Sequence, residues 1–478
     1  MTAPVRLRIA PSPTGEPHVG TAYTALFNLL LAKKLGGEMI LRIEDTDQSR
    51  STPDSERKVL EALEWLGFEW TEGPDKGGDF GPYRQSERRD TYGQYVDRML
   101  EEGNAFKCFC TPERLDEMRK DQRKAGQQPK YDGLCKSLSA EQVAEKEAAG
   151  IPHVVRMNIP EEGECQFSDA IYGDVSIPWA TVDMQVVMKS DGMPTYHMAN
   201  VVDDHLMGIT HVARGEEWMS SVPKHLLLYR YLGWEPPRFY HLPLLRNPDK
   251  TKLSKRRNPT SMSYFQAMGF LPEAMTNFLG LAFISIAEGE EMMDMDELIA
   301  AFDPANTAKA GAVFDMQKLD WLNGRWIREK LDDEEYRSRV LAWAMMNARL
   351  EGGLDLARQR ITKLSDLPDL TAFLFRGDLN LSAADFEKSK TSPEDCLAIL
   401  KAVSPLVDTL AEWNTETLEA AIREIADEQG RKMRKFMPPL FIALTGSNRS
   451  LPLFNSMELL GRSVVRQRLK QAIGALGA

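Results

Sequence analysis

The sequence predicts a multidomain chain: an α/β domain with a doubly wound parallel sheet, an inserted α/β domain that interrupts it, and an all-α C-terminal region. Three observations carry this. Residues 5–44 run strand, loop, helix, strand at the length of one right-handed βαβ unit. Strand patterns return at 184–190 and 210–216, and from about residue 262 onward they give way to apolar residues at helical spacing. At roughly 100–200 residues per domain, 478 residues suffice for several domains.

Each element follows from its residues. In VRLRIA (5–10), Val5, Leu7 and Ile9 alternate with Arg6 and Arg8, the two-residue period of a strand. PSPTGEPHVG (11–20) is too rich in proline and glycine for a regular element and reads as a structured loop. Thr21–Leu35 reads as a helix with Ala22, Leu26, Leu29 and Leu30 as core candidates, closed by Gly36-Gly37. EMILRIE (38–44) is the second strand. Ligands of such sheets bind at the carboxyl ends of the strands, which puts the 11–20 loop and His18 at the site. Amides at a helix N-terminus suit phosphate. An imidazole adds a hydrogen bond to a phosphoryl oxygen as charge develops. Gly20 lets the backbone approach a purine. Alone, PHVG (17–20) reads equally well as a surface loop with an incidental histidine.

Hydrophobic residues make up 42% and charged residues 27%, which excludes disordered, collagen-like and coiled-coil chains. A net charge of −12 excludes a uniformly basic nucleic-acid coat, though a locally basic face can still bind RNA. The most apolar stretches, Thr24–Ala32 and Phe278–Ala287, are too short to span a bilayer. The opening MTAPVRLRIAP lacks the apolar core of a signal peptide, and five cysteines give no disulfide framework. The expectation is a soluble, cytoplasmic chain without a membrane partner.

RNPDKTKLSKRR (246–257) sets Arg246, Lys250, Lys252, Lys255, Arg256 and Arg257 against Asp249 alone. It reads as a solvated basic turn or as a lysine loop that closes on a triphosphate. Together, PHVG and KLSKR (252–256) resemble the HIGH and KMSKS signatures of class I aminoacyl-tRNA synthetases. The surrounding text is more specific: RIAPSPTGEPHVGTA (8–22), LRIEDTD (41–47), GPYRQSER (81–88), PTYHMANVVDDHLMG (194–208), ARGEEW (213–218) and FYHLPLLRNPDKTKLSKR (239–256). In this order they resemble the bacterial glutamyl-tRNA synthetases, from about residue 5 past residue 325 and more weakly to the C-terminus.

The resemblance implies a Rossmann-like catalytic domain and a reaction of L-glutamate, ATP and tRNA(Glu) giving glutamyl-tRNA, AMP and pyrophosphate. No protein nucleophile is needed, so catalysis rests on positioning and charge stabilisation. It makes His18 and Lys255 catalytic. Arg8 and Arg214 grip the side-chain carboxylate, where a guanidinium fork fits a carboxylate and pairs poorly with an amide. Tyr196 adds a hydroxyl, Ser12 and Glu44 hold the α-amino acid end, and Glu217 is a further contact. ATP falls to Pro11, Thr14, Gly15, His18, Gly20, Lys252, Ser254, Lys255 and Arg256, with Mg2+ accompanying it. Arg50, Arg358 and Arg360 contact tRNA, Arg360 reading the third anticodon base and Arg358 a phosphate. The domains implied are catalytic at 1–105 and 191–240, acceptor-binding at 106–190, stem-contacting at 241–325 and anticodon-binding at 326–478. A monomer is implied.

Within the insertion, Cys108 and Cys110 form C-x-C, and Tyr131 and Cys135 form Y-x-x-x-C. Three thiolates with Tyr131 as an unusual oxygen ligand suit a tetrahedral structural Zn2+. Relatives that bind zinc carry a histidine two residues beyond the last cysteine; here Ser137 stands there, and a cluster of three reduced cysteines remains the alternative. Cys165 and Cys396 are isolated and read as ordinary buried or half-buried thiols. MQVVMKS (184–190) reads as the strand on which the main sheet resumes, followed by a helix over 196–207 and a strand over 210–216.

Beyond residue 262, Pro304, Gly352-Gly353, Pro368, Ser404-Pro405, Pro438-Pro439 and Pro452 are expected to cut the chain into short helices. Val465, Leu469 and Ile473 mark an apolar face near the end, and RKMRK (431–435) is either a phosphate stripe or a solvated helix end. An all-α tail separates this chain from glutaminyl and eukaryotic glutamyl synthetases, which carry β-barrels, and from glutamyl-queuosine tRNA(Asp) synthetases, which lack it. A small-molecule adenylyltransferase would need neither the tail nor the insertion. A catalytically idle relative would be expected to lose Arg8, His18 or Lys255, and all three are present.

Overall fold

The computed structural model describes residues 4–251, 253, 259–284, 290–448 and 450–477, in two compact units. The first comprises Met1–Lys252 with Met275–Met316, the second Leu253–Ala274 with Gln317–Ala478.

In the first unit β1 (Arg6–Ile9), α1 (Val19–Lys34) and β2 (Glu38–Leu41) form the expected βαβ unit, with β1 and β2 parallel and Arg8 opposite Ile40. Pairing runs on past β2, because the amides of Arg42 and Glu44 donate to the carbonyls of Ile9 and Pro11, each at 3.0 Å. The arginines of β1 are as buried as its apolar residues, as in a parallel sheet covered on both faces. Along α1 the apolar residues run all round, including the expected Ala22, Leu26, Leu29 and Leu30. Its Phe27 meets Phe283 and Phe302 edge-on at 5.1 and 5.3 Å.

The chain continues through α2 (Pro53–Trp65), α3 (Arg89–Glu101), β3 (Ala105–Cys108), α4 (Pro112–Lys124), α5 (Ala140–Ala148), β4 (Val154–Met157), β5 (Glu164–Asp169), β6 (Gly173–Pro178), β7 (Val186–Met188), α6 (Tyr196–Leu206), β8 (His211–Gly215), α7 (Val222–Tyr231) and β9 (Arg238–Leu242). Strands β8 and β9 are parallel, with Arg214 opposite His241, and β9 also pairs with β5 of the β5–β6 hairpin. The Thr210 amide donates to the Arg6 carbonyl at 2.9 Å and draws β8 alongside β1. The chain therefore leaves β1 for β2 on one side and returns to β8 on the other; ligands of such sheets bind at the carboxyl ends beside a switch point. One expectation is corrected. The strand at 184–190 does not resume this sheet: β7 pairs antiparallel with β4 and completes the order β3-β4-β7. The strand partners of β7 are Val155 and Arg156 of β4, and the main sheet resumes at β8.

After Leu242 the described residues hold helices and a lone bridge between Arg246 and Val313. The helices are α8 (Met262–Met268), α9 (Pro272–Gly280), α10 (Met295–Ala301), α11 (Met316–Glu329), α12 (Asp333–Met345), α13 (Arg349–Ala357), α14 (Leu367–Phe375), α15 (Pro393–Val403), α16 (Leu406–Thr409), α17 (Thr415–Glu428), α18 (Met433–Thr445) and α19 (Leu453–Leu476). In the second unit α15, α17, α18 and α19 pack around Ile399, Ile422, Leu440 and Leu469. The expected face of Val465, Leu469 and Ile473 joins that core.

Two expected breakers do not break. Gly352-Gly353 lies inside α13, where a Cβ would come 2.6 Å from Leu459 and 2.7 Å from Leu374, so these glycines permit close helix packing. Pro438-Pro439 lies inside α18, held by burial of Phe436, Leu440 and Ile442. Pro368 and Pro452 sit where expected, at the starts of α14 and α19. No described helix is long and apolar enough to cross a membrane.

Candidate active site

The loop after β1 turns at Gly15, whose φ of +126° suits glycine alone. It ends at His18, the N-cap of α1, whose Nδ1 accepts the Gly20 amide at 2.9 Å. This fixes the imidazole proton on Nε2. A Cβ on Gly20 would lie 3.1 Å from that Nδ1, so the cap itself constrains position 20. Pro11 is buried while Ser12, Thr14 and Gly15 are exposed along the loop.

Behind the loop is a buried ion cluster. Arg8 is 3% exposed, and its Nε donates to Asp204 Oδ1 at 3.0 Å. Arg42, fully buried, reaches the same oxygen at 2.9 Å and Glu44 at 3.4 Å. Asn200 donates to Glu44 at 3.2 Å. Asp203, next along α6, takes hydrogen bonds from Arg88, Gln85 and Tyr92 at 2.7, 3.0 and 2.9 Å. Burial pushes the Glu44 and Asp203 carboxyls up. Burial acts on Asp204 too, but Arg8 and then Arg42 outweigh it and hold that carboxyl below its ordinary value. Among the described residues the terminal nitrogens of Arg8 have no hydrogen-bond partner.

Arg214 lies at the carboxyl end of β8. Its Nε donates to His241 Nε2 at 3.1 Å, and its Nη1 to His225 Nδ1 at 3.0 Å and to the Tyr196 hydroxyl at 3.3 Å. Its Nη2 is buried with no hydrogen-bond partner among the described residues. Tyr196 stacks obliquely on Trp218, ring centroids 4.3 Å apart. The structure thus gathers Arg8, Glu44, Tyr196 and Arg214 around the β1–β8 crevice, and His18 at the mouth of α1. Glu217 is exposed, its carboxylate folded over Gly215. Arg50 is exposed, 3.8 Å from Asp47.

Lys252, Ser254, Lys255 and Arg256 lie outside the described residues. The residues that precede them are described. Arg246 pairs through its backbone with Ala312 and Phe314, at 2.9 and 2.8 Å, and its guanidinium lies 3.5 Å from Glu216. In the second unit Arg358 and Arg360 are exposed just beyond α13, Arg360 donating to the Ser450 carbonyl at 2.7 Å. Of the RKMRK run, Arg431 is paired with Asp395 at 2.6 Å.

Sequence reasoning missed Arg42, Asp203, Asp204, Asn200, His225, His241 and Asp169 as members of this cluster. One signal was present: Asp203-Asp204 falls within the apolar run of VVDDHL, and adjacent acids on a buried helix face must be paired.

In the insertion the Sγ atoms of Cys108, Cys110 and Cys135 lie within 4.8 Å of one another, Cys110 and Cys135 at 3.6 Å. The Tyr131 hydroxyl is 3.4 Å from Cys108 Sγ and 3.5 Å from Cys110 Sγ. Tetrahedral zinc with bonds of about 2.3 Å sets sulfurs about 3.8 Å apart, so the donor set fits. Ser137 is exposed and donates to the Leu134 carbonyl at 3.0 Å, away from the cluster. Cys165 and Cys396 are free and buried, as expected.

A parallel sheet with a switch point, a histidine-capped helix beside it and buried arginines with uncommitted donors suit an enzyme that binds a nucleotide and an anionic substrate. The family of class I (E and Q) tRNA synthetase catalytic domains matches residues 4–321, and the anticodon-binding domain family matches residues 321–473. The chain is 65% identical to a glutamate–tRNA ligase of Rhizobium leguminosarum bv. trifolii, across 100% of this chain and 99% of that one. It is 49% identical to one of Marinomonas sp., across 99% and 96%. A crystal structure of a glutamate tRNA ligase from Elizabethkingia meningosepticum in complex with its amino acid superposes with a TM-score of 0.67 at 35% identity, covering 99% of both chains. The chain belongs to the glutamate–tRNA ligase family.

Proposed function

We propose that this chain activates L-glutamate with ATP and transfers it to the terminal adenosine of tRNA(Glu). The observation that carries this is the set of uncommitted donors on Arg8 and Arg214, two buried cations beside one crevice. Arg8, tethered only through Nε, offers its two terminal nitrogens to the substrate's side-chain carboxylate as a fork; Arg214 adds Nη2 and Tyr196 its hydroxyl. Glu44, with Ser12 and Glu217 nearer solvent, suits the α-ammonium group. The α-carboxylate attacks the α-phosphorus of ATP and pyrophosphate departs. His18, its proton held on Nε2, donates to a phosphoryl oxygen, and the helix dipole of α1 adds to that stabilisation. Pro11, Thr14, Gly15 and Gly20 shape the nucleotide side, and Lys252, Ser254, Lys255 and Arg256 close on the phosphates. Magnesium carried by ATP keeps mostly phosphate and water ligands.

Cys108, Cys110 and Cys135, with Tyr131, would hold a structural zinc that pins β3 to the 131–135 turn. In this reading residues 106–190 dock the acceptor end of the tRNA with Arg50, 241–325 contact its stem and 326–478 read the anticodon. Arg360 discriminates the third base and Arg358 binds phosphate. The reading takes a monomer in the cytoplasm as the working form.

The test is charging with labelled glutamate, offering tRNA(Glu) and tRNA(Gln) separately. Charging of tRNA(Glu) alone supports Arg360 as the discriminator, and Arg360→Ala then narrows that preference about tenfold. Charging of both makes the enzyme non-discriminating, and charging of neither refutes the proposal.

A further inference from the structure

We propose that His241, Asp169 and His225 are positioning residues for Arg214, and that the rigidity they impose sets the preference for a carboxylate over an amide in the amino-acid side chain. The inference rests on the reading of Arg214 as a ligand of that side chain.

A guanidinium only donates, so His241 Nε2 and His225 Nδ1, at 3.1 and 3.0 Å from it, must both accept. Each ring then carries its proton on the other nitrogen. His241 Nδ1–H donates to Asp169 Oδ2 at 2.7 Å, and His225 Nε2–H donates to His197 Nδ1 at 3.0 Å. The direction of every bond is fixed outward from Arg214. Asp169 also accepts the backbone amides of Ile171, Tyr172 and His241 at 3.0, 2.9 and 3.1 Å, so it is an acceptor on all sides and pins the His241 tautomer. The opposite tautomer would set an N–H against an N–H.

The relay is dry: His241, His225 and Asp169 are each at most 1% exposed. Burial pushes both imidazoles below the ordinary histidine range, and His197 to about 3, in keeping with neutral rings. The pairing of Arg214 opposite His241 in the β8–β9 register, with Asp169 on the neighbouring β5, makes the arrangement a property of the sheet. With Nε and Nη1 committed to the relay and to Tyr196, Nη2 is the donor left for a ligand. A donor that cannot swing away gains a full charge-assisted bond from a carboxylate and loses it to an amide. A loose one would re-orient and discriminate less.

The test compares kcat/KM for glutamate and for glutamine, together with KM for ATP and the melting temperature, in Arg214→Ala, His241→Phe, Asp169→Asn and His241→Gln. His241→Phe and Asp169→Asn should raise KM for glutamate and narrow the glutamate-to-glutamine ratio, each by about tenfold or more, with KM for ATP within about twofold. Asparagine narrows it because its amide must face either the imidazole or the backbone amides with a donor. His241→Gln should recover most of the ratio, since its carbonyl can accept from Arg214 while its amide donates to Asp169.

A merely structural role predicts a lower melting temperature with both amino acids affected alike, and that result overturns the proposal. If Arg214→Ala collapses the ratio and His241→Phe leaves it intact, positioning fails while the role of Arg214 stands. If Arg214→Ala also leaves it intact, the reading of Arg214 fails and the inference with it. Should His241→Phe not fold, the contrast between Asp169→Asn and His241→Gln decides: equal ratios in the two refute the relay.

Discussion

Replacing Asp204 by asparagine is the sharpest probe of the buried cluster. The side chain is 1% exposed and holds two guanidinium groups, Arg8 at 3.0 Å and Arg42 at 2.9 Å. Asparagine keeps the shape and one acceptor oxygen but removes the charge, which leaves buried cations short of an anion. Removing one partner of a buried pair costs about 3–5 kcal/mol. Glu44 remains 3.4 Å from Arg42, so one of the two cations keeps a counter-charge and the lower end, about 3 kcal/mol, applies. For a unit of about 290 residues that is a melting-temperature loss of roughly 5 °C.

The pH dependence has a definite sign. Asp204 is held below its ordinary pKa when folded, so the stability it contributes is fully present above the unfolded value near ~3.9 and is lost as pH falls through the folded one. Thermal unfolding of wild type and Asp204→Asn should therefore show a gap that is constant from about pH 8 to 5 and closes below about pH 4. With Arg8 untethered, KM for glutamate should rise while KM for ATP holds. A gap under about 1 kcal/mol at neutral pH, or one unchanged at about pH 3, would refute the ion-cluster reasoning.

Gly20→Ala should push the new Cβ against His18 Nδ1, break the helix cap and lower kcat about tenfold or more with KM for glutamate little changed; equal kcat would show that the cap does not orient the imidazole. Elemental analysis of purified protein should find about one zinc per chain, and Cys135→Ser should lose it; a ratio near zero in the wild type sinks the zinc site. Lys255→Ala should cut turnover steeply while tRNA binding, measured by filter retention, persists; unchanged turnover would remove the lysine from the mechanism.

Much of the fold was legible because period and punctuation agree with packing. The β1–α1–β2 unit, the shift to helices after residue 262 and the apolar face of α19 follow from spacing alone. What spacing could not supply was tertiary. The strand pattern at 186–188 is indistinguishable from one on the main sheet until β4 claims its edge. Gly352-Gly353 reads as a break unless Leu374 and Leu459 are known to press on it. Arg8 was legible in the site through its motif. Arg42, which shares Asp204 with it, looked like any strand arginine, because its partners lie about 160 residues away on α6. His225 and His241 carried no local signal, since their meaning is a register between strands and a helix.

In the proposed function, buried arginines at the carboxyl ends of β1 and β8 select a carboxylate side chain for transfer to tRNA. Charging purified tRNA(Glu) with labelled glutamate and, in parallel, labelled glutamine tests it most directly. tRNA is present throughout, because its charging is the readout. Charging with glutamate is expected, with a kcat/KM for glutamine lower by about 10⁴-fold, the cost of leaving buried polar groups unpaired. Charging with glutamine at a comparable rate, or none with glutamate, would contradict it.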